Sequence, residues 1–115
     1  MEMEEKQYLR LASDTFAEIL AAFDDVDSDD ADVDTAGDVI SIRFRDGTRA
    51  VLNTQRPTRQ IWLAGGDRAW HFDFDEGEKT WKDAKGSGQE LFAAVAELGR
   101  RCAGLALRFE KRERR

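Results

Sequence analysis

A chain of 115 residues that is 41% hydrophobic, with seven Phe and three Trp, can bury one core but not two, so a single domain is expected. Thirteen acids against Lys6 and Arg10 give residues 1–38 a net charge of −11, whereas residues 39–115 carry +5. Such a polarised molecule repels nucleic acid and anionic membranes with its acidic front, and attracts basic surfaces and metal cations. The start MEMEEKQ lacks the positive region and apolar run of a signal peptide, no apolar run approaches membrane-spanning length, and one cysteine, Cys102, fits a reducing compartment. A cytoplasmic location is expected.

Leu9, Ala12, Phe16, Ile19, Leu20 and Phe23 recur at three- and four-residue steps, which predicts a helix over about residues 4–25 with Asp14, Glu18 and Asp25 on its opposite, acidic side. The run FDDVDSDDADVDT, Phe23 to Thr35, then places seven aspartates close together. From residue 32 the period is two, so Asp32 and Asp34 share one face of a strand. VISIRFR (Val39 to Arg45) alternates apolar and polar residues, and Asp46-Gly47 predicts a tight hairpin into RAVLNT. RQIWLA, AWHFDF and KTWKD read as further strands, separated by Gly65-Gly66 and Glu76-Gly77. Ser87 with Glu90 predicts a capping box for a second helix whose apolar face is Leu91, Val95, Leu98 and Cys102 and which ends near Gly104. LALRF (Leu105 to Phe109) is expected to run extended along the core. Residues 1–110 form the expected domain and KRERR, residues 111–115, a solvated charged tail.

Helix, meander, helix implies an α+β two-layer sandwich, the N- and C-terminal helices packed on one face of an antiparallel β-sheet of about five or six strands. The other sheet face is then open. Alternation turns Ile61, Leu63, Phe72 and Phe74 inward and Asn53, Gln60, Trp62, His71 and Asp73 outward. An outward Trp in mid-sheet beside two amides marks a candidate partner surface; the alternative is that Trp62 only covers polar neighbours.

NTQRPTRQIWLA, Asn53 to Ala64, resembles the N-x-Q-x-P-x-x-Q-[IV]-W-L-A/S signature of frataxins. HFDF at 71–74, the strand at Trp81, the opening YLRLASDTF, the acidic run and ISIRFRDGT extend the resemblance to the bacterial members of that family over Tyr8 to Phe109. The resemblance implies two helices against an antiparallel sheet. It also implies an iron-binding accessory protein of iron-sulfur cluster assembly, which binds the cysteine desulfurase and the scaffold protein and modulates sulfur transfer. The implied iron ridge is Asp24, Asp25, Asp27, Asp29 and Asp32, extended by Asp30 and Asp34. Glu18 substitutes in part for upstream acids, since Leu20, Ala21 and Ala22 stand where relatives carry them. The implied exposed sheet patch is Asn53, Gln55, Gln60 and Trp62. A monomer able to oligomerise with iron is expected.

Independently of the family, a fan of carboxylates without His or Cys suits Fe(III), Ca(II), Mn(II) and Mg(II), and holds Fe(II) weakly. Open carboxylates leave a cation much of its hydration, so binding is expected to be loose and exchangeable. Asp25, Asp27 and Asp29 mimic the start of an EF-hand loop, but Asp30 replaces its Gly and Ala36 its bidentate Glu. His71 has no metal-spaced partner, Cys102 reads as packing, and GGDRA lacks a phosphate-loop pattern. No nucleophile-base pairing is visible, so no enzyme is expected. Ferroxidase activity is a weaker option, because no Glu-x-x-His di-iron pattern supports it. The alternative to the iron-binding regulator is an acidic protein-interaction module with only incidental metal binding.

Overall fold

The structure, a computed structural model, describes residues 3–109. The expected tail at 111–115 and the final residue of the expected domain lie outside the described residues. Period-three-to-four patterning yields α1 (Glu5–Ala22) and α2 (Leu91–Ala103). Period-two patterning yields β1 (Ala31–Ala36), β2 (Val39–Phe44), β3 (Arg49–Gln55), β4 (Gln60–Gly65), β5 (Arg68–Asp75) and β6 (Thr80–Asp83). The six strands pair antiparallel in sequence order, β1 to β6, as an open meander. This is the expected α+β sandwich with the strand count resolved at six. Among the described residues, no helix is long and apolar enough to cross a membrane.

Alternation along each strand separates a core face from an open face. Ile40, Ile42, Phe44, Leu52, Ile61, Leu63, Trp70, Phe72 and Trp81 are buried and pack with Tyr8, Ala12 and Ile19 of α1 and Leu91, Val95 and Leu98 of α2. The inward assignments of Ile61, Leu63 and Phe72 hold, and Phe74, half-buried, meets the edge of Trp81 at 5.2 Å between ring centroids.

Three local expectations are corrected. The buried row of α1 is Tyr8, Ala12, Thr15 and Ile19, while Leu9, Phe16 and Leu20 are half-buried at the flank. Polar groups explain the rotation, because the Thr15 hydroxyl accepts a 2.8 Å hydrogen bond from the indole of Trp81. The rotation also draws Glu18 inward to 6% exposure, so it does not stand on an exposed acidic side. At α2 the cap is Glu90 and not Ser87: the Glu90 carboxylate accepts from the N–H groups of Phe92 and Ala93, at 3.0 and 3.1 Å. Ser87 instead donates to Asp83 at 2.6 Å, and Gly88, with φ of 84°, separates it from the helix.

α2 ends as expected on Gly104 in the left-handed conformation, and residues 105–109 follow without regular secondary structure. Leu105, Leu107 and Phe109 pack against the core, and Phe109 stacks on Phe92 at 4.8 Å between ring centroids. This close crossing depends on Gly99, since a Cβ there would lie 2.8 Å from Leu107 Cδ1.

Candidate functional site: an acidic end and an open sheet face

Phe23 caps α1, and Asp24 and Asp25 stand exposed in the turn that follows. The unpaired carbonyls of a helix C-terminus already present partial negative charge, so acids at this position repel the helix end by about 0.3–1 kcal/mol each. The next loop is tied by its own aspartate: Asp27 Oδ1 accepts the Asp29 N–H at 2.8 Å, and the Asp27 carbonyl accepts those of Asp30 and Ala31. Asp30 then departs from the others. It is half-buried, its carboxylate pairs with the Arg45 guanidinium at 3.1 Å, and its carbonyl accepts the Arg45 N–H at 2.9 Å. Arg45 also donates to the Ala103 carbonyl at the end of α2, so Asp30 anchors the loop to the fold. It is not an open ligand.

Asp32 and Asp34 are exposed on the open face of β1, opposite Arg43 and Ser41 of β2. The six exposed aspartates therefore fall into three pairs: Asp24 with Asp25 in the turn, Asp27 with Asp29 in the loop, and Asp32 with Asp34 on the strand. Among the described residues, no three His, Cys, Asp or Glu side chains converge as a metal centre. Each pair could offer a cation one or two carboxylate oxygens. Glu18, on the buried side of α1, lines a hollow of about 430 Å³ with Trp81 and one of about 660 Å³ with Asp24 and Asp25.

On the open face the register assembles a second surface. Asn53 of β3 pairs with Trp62 of β4, which pairs with His71 of β5; Gln55, Gln60, Asp73 and Lys82 form the next row. The rings of Trp62 and His71 stack at 4.1 Å, 11° from parallel. The Trp62 indole donates to Gln60 Oε1 at 2.9 Å, and Gln60 Nε2 donates to Asp73 Oδ1 at 3.0 Å. The outward assignments of Asn53, Gln60, Trp62, His71 and Asp73 thus hold. The Gln60 amide is spent within the protein, however, and it holds the indole in place. Asn53 donates to the Thr54 carbonyl at 3.3 Å.

Sequence reasoning missed Tyr8, which fixes this face from behind. Its hydroxyl donates to the Gln60 carbonyl at 2.6 Å and accepts the Gln55 N–H at 3.0 Å, tying α1 to both strands of the β3–β4 hairpin. Burial pushes the phenol above its ordinary range, against the lowering effect of the bond from Gln55. The four-three-four spacing of Tyr8, Ala12, Thr15 and Ile19 is the sequence signal that would have found it. His71 was read only as a surface residue, and its role as the stacking partner of Trp62 depends on cross-strand register.

A Frataxin-like domain profile matches residues 1–103. The iron-sulfur cluster assembly protein CyaY of Paraburkholderia phytofirmans is 35% identical over 108 residues, covering 94% of this chain and 99% of that protein. The protein of the same name from Shewanella sp. strain ANA-3 is 36% identical over 112 residues, covering 95% and 100%. Among solved structures, frataxin from Psychromonas ingrahamii superposes with a TM-score of 0.83 at 24% identity, covering 95% of this chain and all of that one, which speaks to the fold alone. Trimeric frataxin from Saccharomyces cerevisiae, complexed with ferrous iron, gives a TM-score of 0.59 at 26% identity over 91% of this chain and 90% of that one.

Proposed function

The chain belongs to the frataxin family, and from that premise we propose that it is a cytoplasmic, iron-binding accessory protein that regulates iron-sulfur cluster assembly. In this reading the acidic end takes iron and a basic surface of the cysteine desulfurase. The open face around Asn53, Gln55, Gln60 and Trp62 docks within the desulfurase–scaffold assembly. The observation that carries it is the exposure of Asp24, Asp25, Asp27, Asp29, Asp32 and Asp34 at one end, while Asp30 alone of that run forms an ion pair among the described residues. Self-repelling acids destabilise the free protein, and their placement makes sense where a cation or a basic partner relieves them. Iron is cargo here, and the reading assigns the chain no catalysis. The names of the bacterial relatives and the ferrous complex of the yeast protein support it. The trimeric state of that yeast protein supports a chain able to oligomerise.

The absence of a convergent ligand set among the described residues favours a second reading, an acidic interaction module with incidental metal binding. A pull-down with the cysteine desulfurase, with and without iron, tests both. Retention that changes with iron supports the regulator, and retention indifferent to iron supports the module. If no desulfurase is retained in either condition, both readings fail.

A further inference from the structure

We infer that Arg43 and Arg49 form a carboxylate-binding subsite on the open sheet face, seating an acidic segment of a protein partner beside the Trp62–His71 stack. The inference rests on the partner-surface reading of that face. Strand register sets Arg43 of β2 directly opposite Arg49 of β3, and both are exposed. Directly opposed residues have Cα atoms about 4.5–5.5 Å apart, and like charges so placed destabilise a sheet. Among the described residues neither arginine lies in an ion pair, whereas Arg45, Arg56 and Arg100 do. Asp32 stands across from Arg43 on β1 and offsets part of its charge. Arg49 has no such counterpart: the turn after β4 meets it at Gly66, whose N–H donates to the Arg49 carbonyl.

The next row along the strands is Asp34, at the β1 edge, then Ser41, Val51, Ala64 and Ala69, and Asp32 and Asp34 share one hollow with Arg43 and Arg49. From Ser41 onward none of these exceeds Val in size, so on β2 to β5 a shallow floor separates the arginines from the following row, which carries Trp62 and His71. With a rise of about 3.4 Å per residue, four residues separate the two banks by roughly 14 Å along the strands, and they are offset by two strands across the sheet. A cationic bank, a small-residue floor and an aromatic bank complement a segment that carries carboxylates along one edge of an apolar stretch. Opposed guanidiniums offer paired N–H donors to a carboxylate, a geometry that a single lysine cannot match. The molecule then presents opposite signs to its surroundings. The acidic end draws basic groups and the arginine bank acidic ones, which together fix the orientation of a docked partner.

The probe is the peptide acetyl-Glu-Glu-Leu-Leu-Glu-Glu-amide, titrated into the isotope-labelled protein and followed by amide NMR. Arms with the Gln-for-Glu peptide and with inorganic phosphate separate acidic peptide from neutral peptide and from bare anion. Shifts at Arg43, Arg49, Val51 and Ala64 with the acidic peptide alone are expected, and these should vanish in the R43Q/R49Q protein, whose melting temperature should rise as the opposed charges are removed. The R43K/R49K protein should bind on the order of tenfold more weakly than the native protein. Equal shifts with phosphate, or no shift in that row, would overturn the subsite. So would an R43Q/R49Q protein that binds the peptide normally or loses thermal stability, which would show that the arginines only screen Asp32 and Asp34. These outcomes do not depend on the desulfurase pull-down, so the subsite and the functional reading fail separately.

Discussion

The phenol of Tyr8 donates to the Gln60 carbonyl at 2.6 Å from a helix 52 positions away in sequence, and so joins the helical layer to the strand that carries Trp62. Replacing it with Phe leaves the Gln60 carbonyl and the Gln55 N–H short of a partner in a part-buried site, and the expected loss is about 1–3 kcal/mol. Chemical denaturation of Tyr8→Phe measures it. The pH dependence has a defined sign. Burial holds the folded phenol above its ordinary value of 10.0, so an unfolded chain releases its proton first. The contribution is therefore complete below about pH 10 and lost as pH rises through the folded value. The chain has one tyrosine, so phenolate absorbance reports this group directly. The native protein should show a raised midpoint, returning to the ordinary value in denaturant.

Changing Asp24, Asp25, Asp27, Asp29 and Asp32 together to Asn should abolish iron binding in an anaerobic titration and raise the melting temperature, because exposed repulsion is removed. Asn retains the carbonyl oxygen that Asp27 uses to accept the Asp29 N–H, so the loop keeps its turn. Asp30 is left intact because its pair with Arg45 holds the loop. By linkage, divalent and trivalent cations should raise the melting temperature of the native protein but not of the variant. A variant that still binds iron, or that melts lower, contradicts this account of the acidic end.

Trp62→Ala should keep the circular dichroism spectrum while losing the stack on His71, an interaction worth about 0.5–1.5 kcal/mol. Docking on the desulfurase–scaffold assembly should weaken chiefly through faster dissociation, as for an aromatic hot spot. Asp-to-Lys changes at the acidic end should instead slow association, an effect that fades with salt. Gln60→Ala, which frees the indole, should fall between native and Trp62→Ala. Binding kinetics over a salt series separate the three, and a Trp62→Ala protein that unfolds would contradict the open-face placement.

Gly99→Ala pits two effects against each other. Alanine favours the helix by about 1 kcal/mol, but the new methyl must displace Leu107, and overpacking typically costs about 1–3 kcal/mol. A net lowering of the denaturation midpoint is expected. Leu107→Ala in the same background should restore part of it, since the obstructing side chain is then gone.

Most of the architecture was legible because alternation and helical spacing act locally. Val39 to Phe44 and Gln60 to Gly65 declare their inward residues without reference to anything else, and the outward placement of Trp62 follows. What escaped depends on pairing between distant segments. Tyr8 scored as an ordinary helical residue until Gln55 and Gln60 were brought to it, and Glu18 turned inward because Thr15 binds Trp81. Asp30 looked like its neighbours in the acidic run, and only the hairpin that presents Arg45 sets it apart. The Ser87 cap failed for a local reason: Gly88 breaks the chain before the helix, and Glu90 occupies the capping position with a side chain long enough to reach two amides.

The strict sequence order of the sheet also bears on how the molecule assembles. Every strand pairs with the one just before or after it, so the meander can form hairpin by hairpin at low loop-closure cost. The side-chain hydrogen bonds that tie α1 down are long-range: its Tyr8 bonds reach residues 55 and 60, and its Thr15 bond reaches residue 81. On a ribosome α1 emerges before the strands that bond it, so those bonds wait until residues 55, 60 and 81 have been made. The acids interspersed through that N-terminal stretch keep the waiting, half-apolar helix in water and away from other nascent chains.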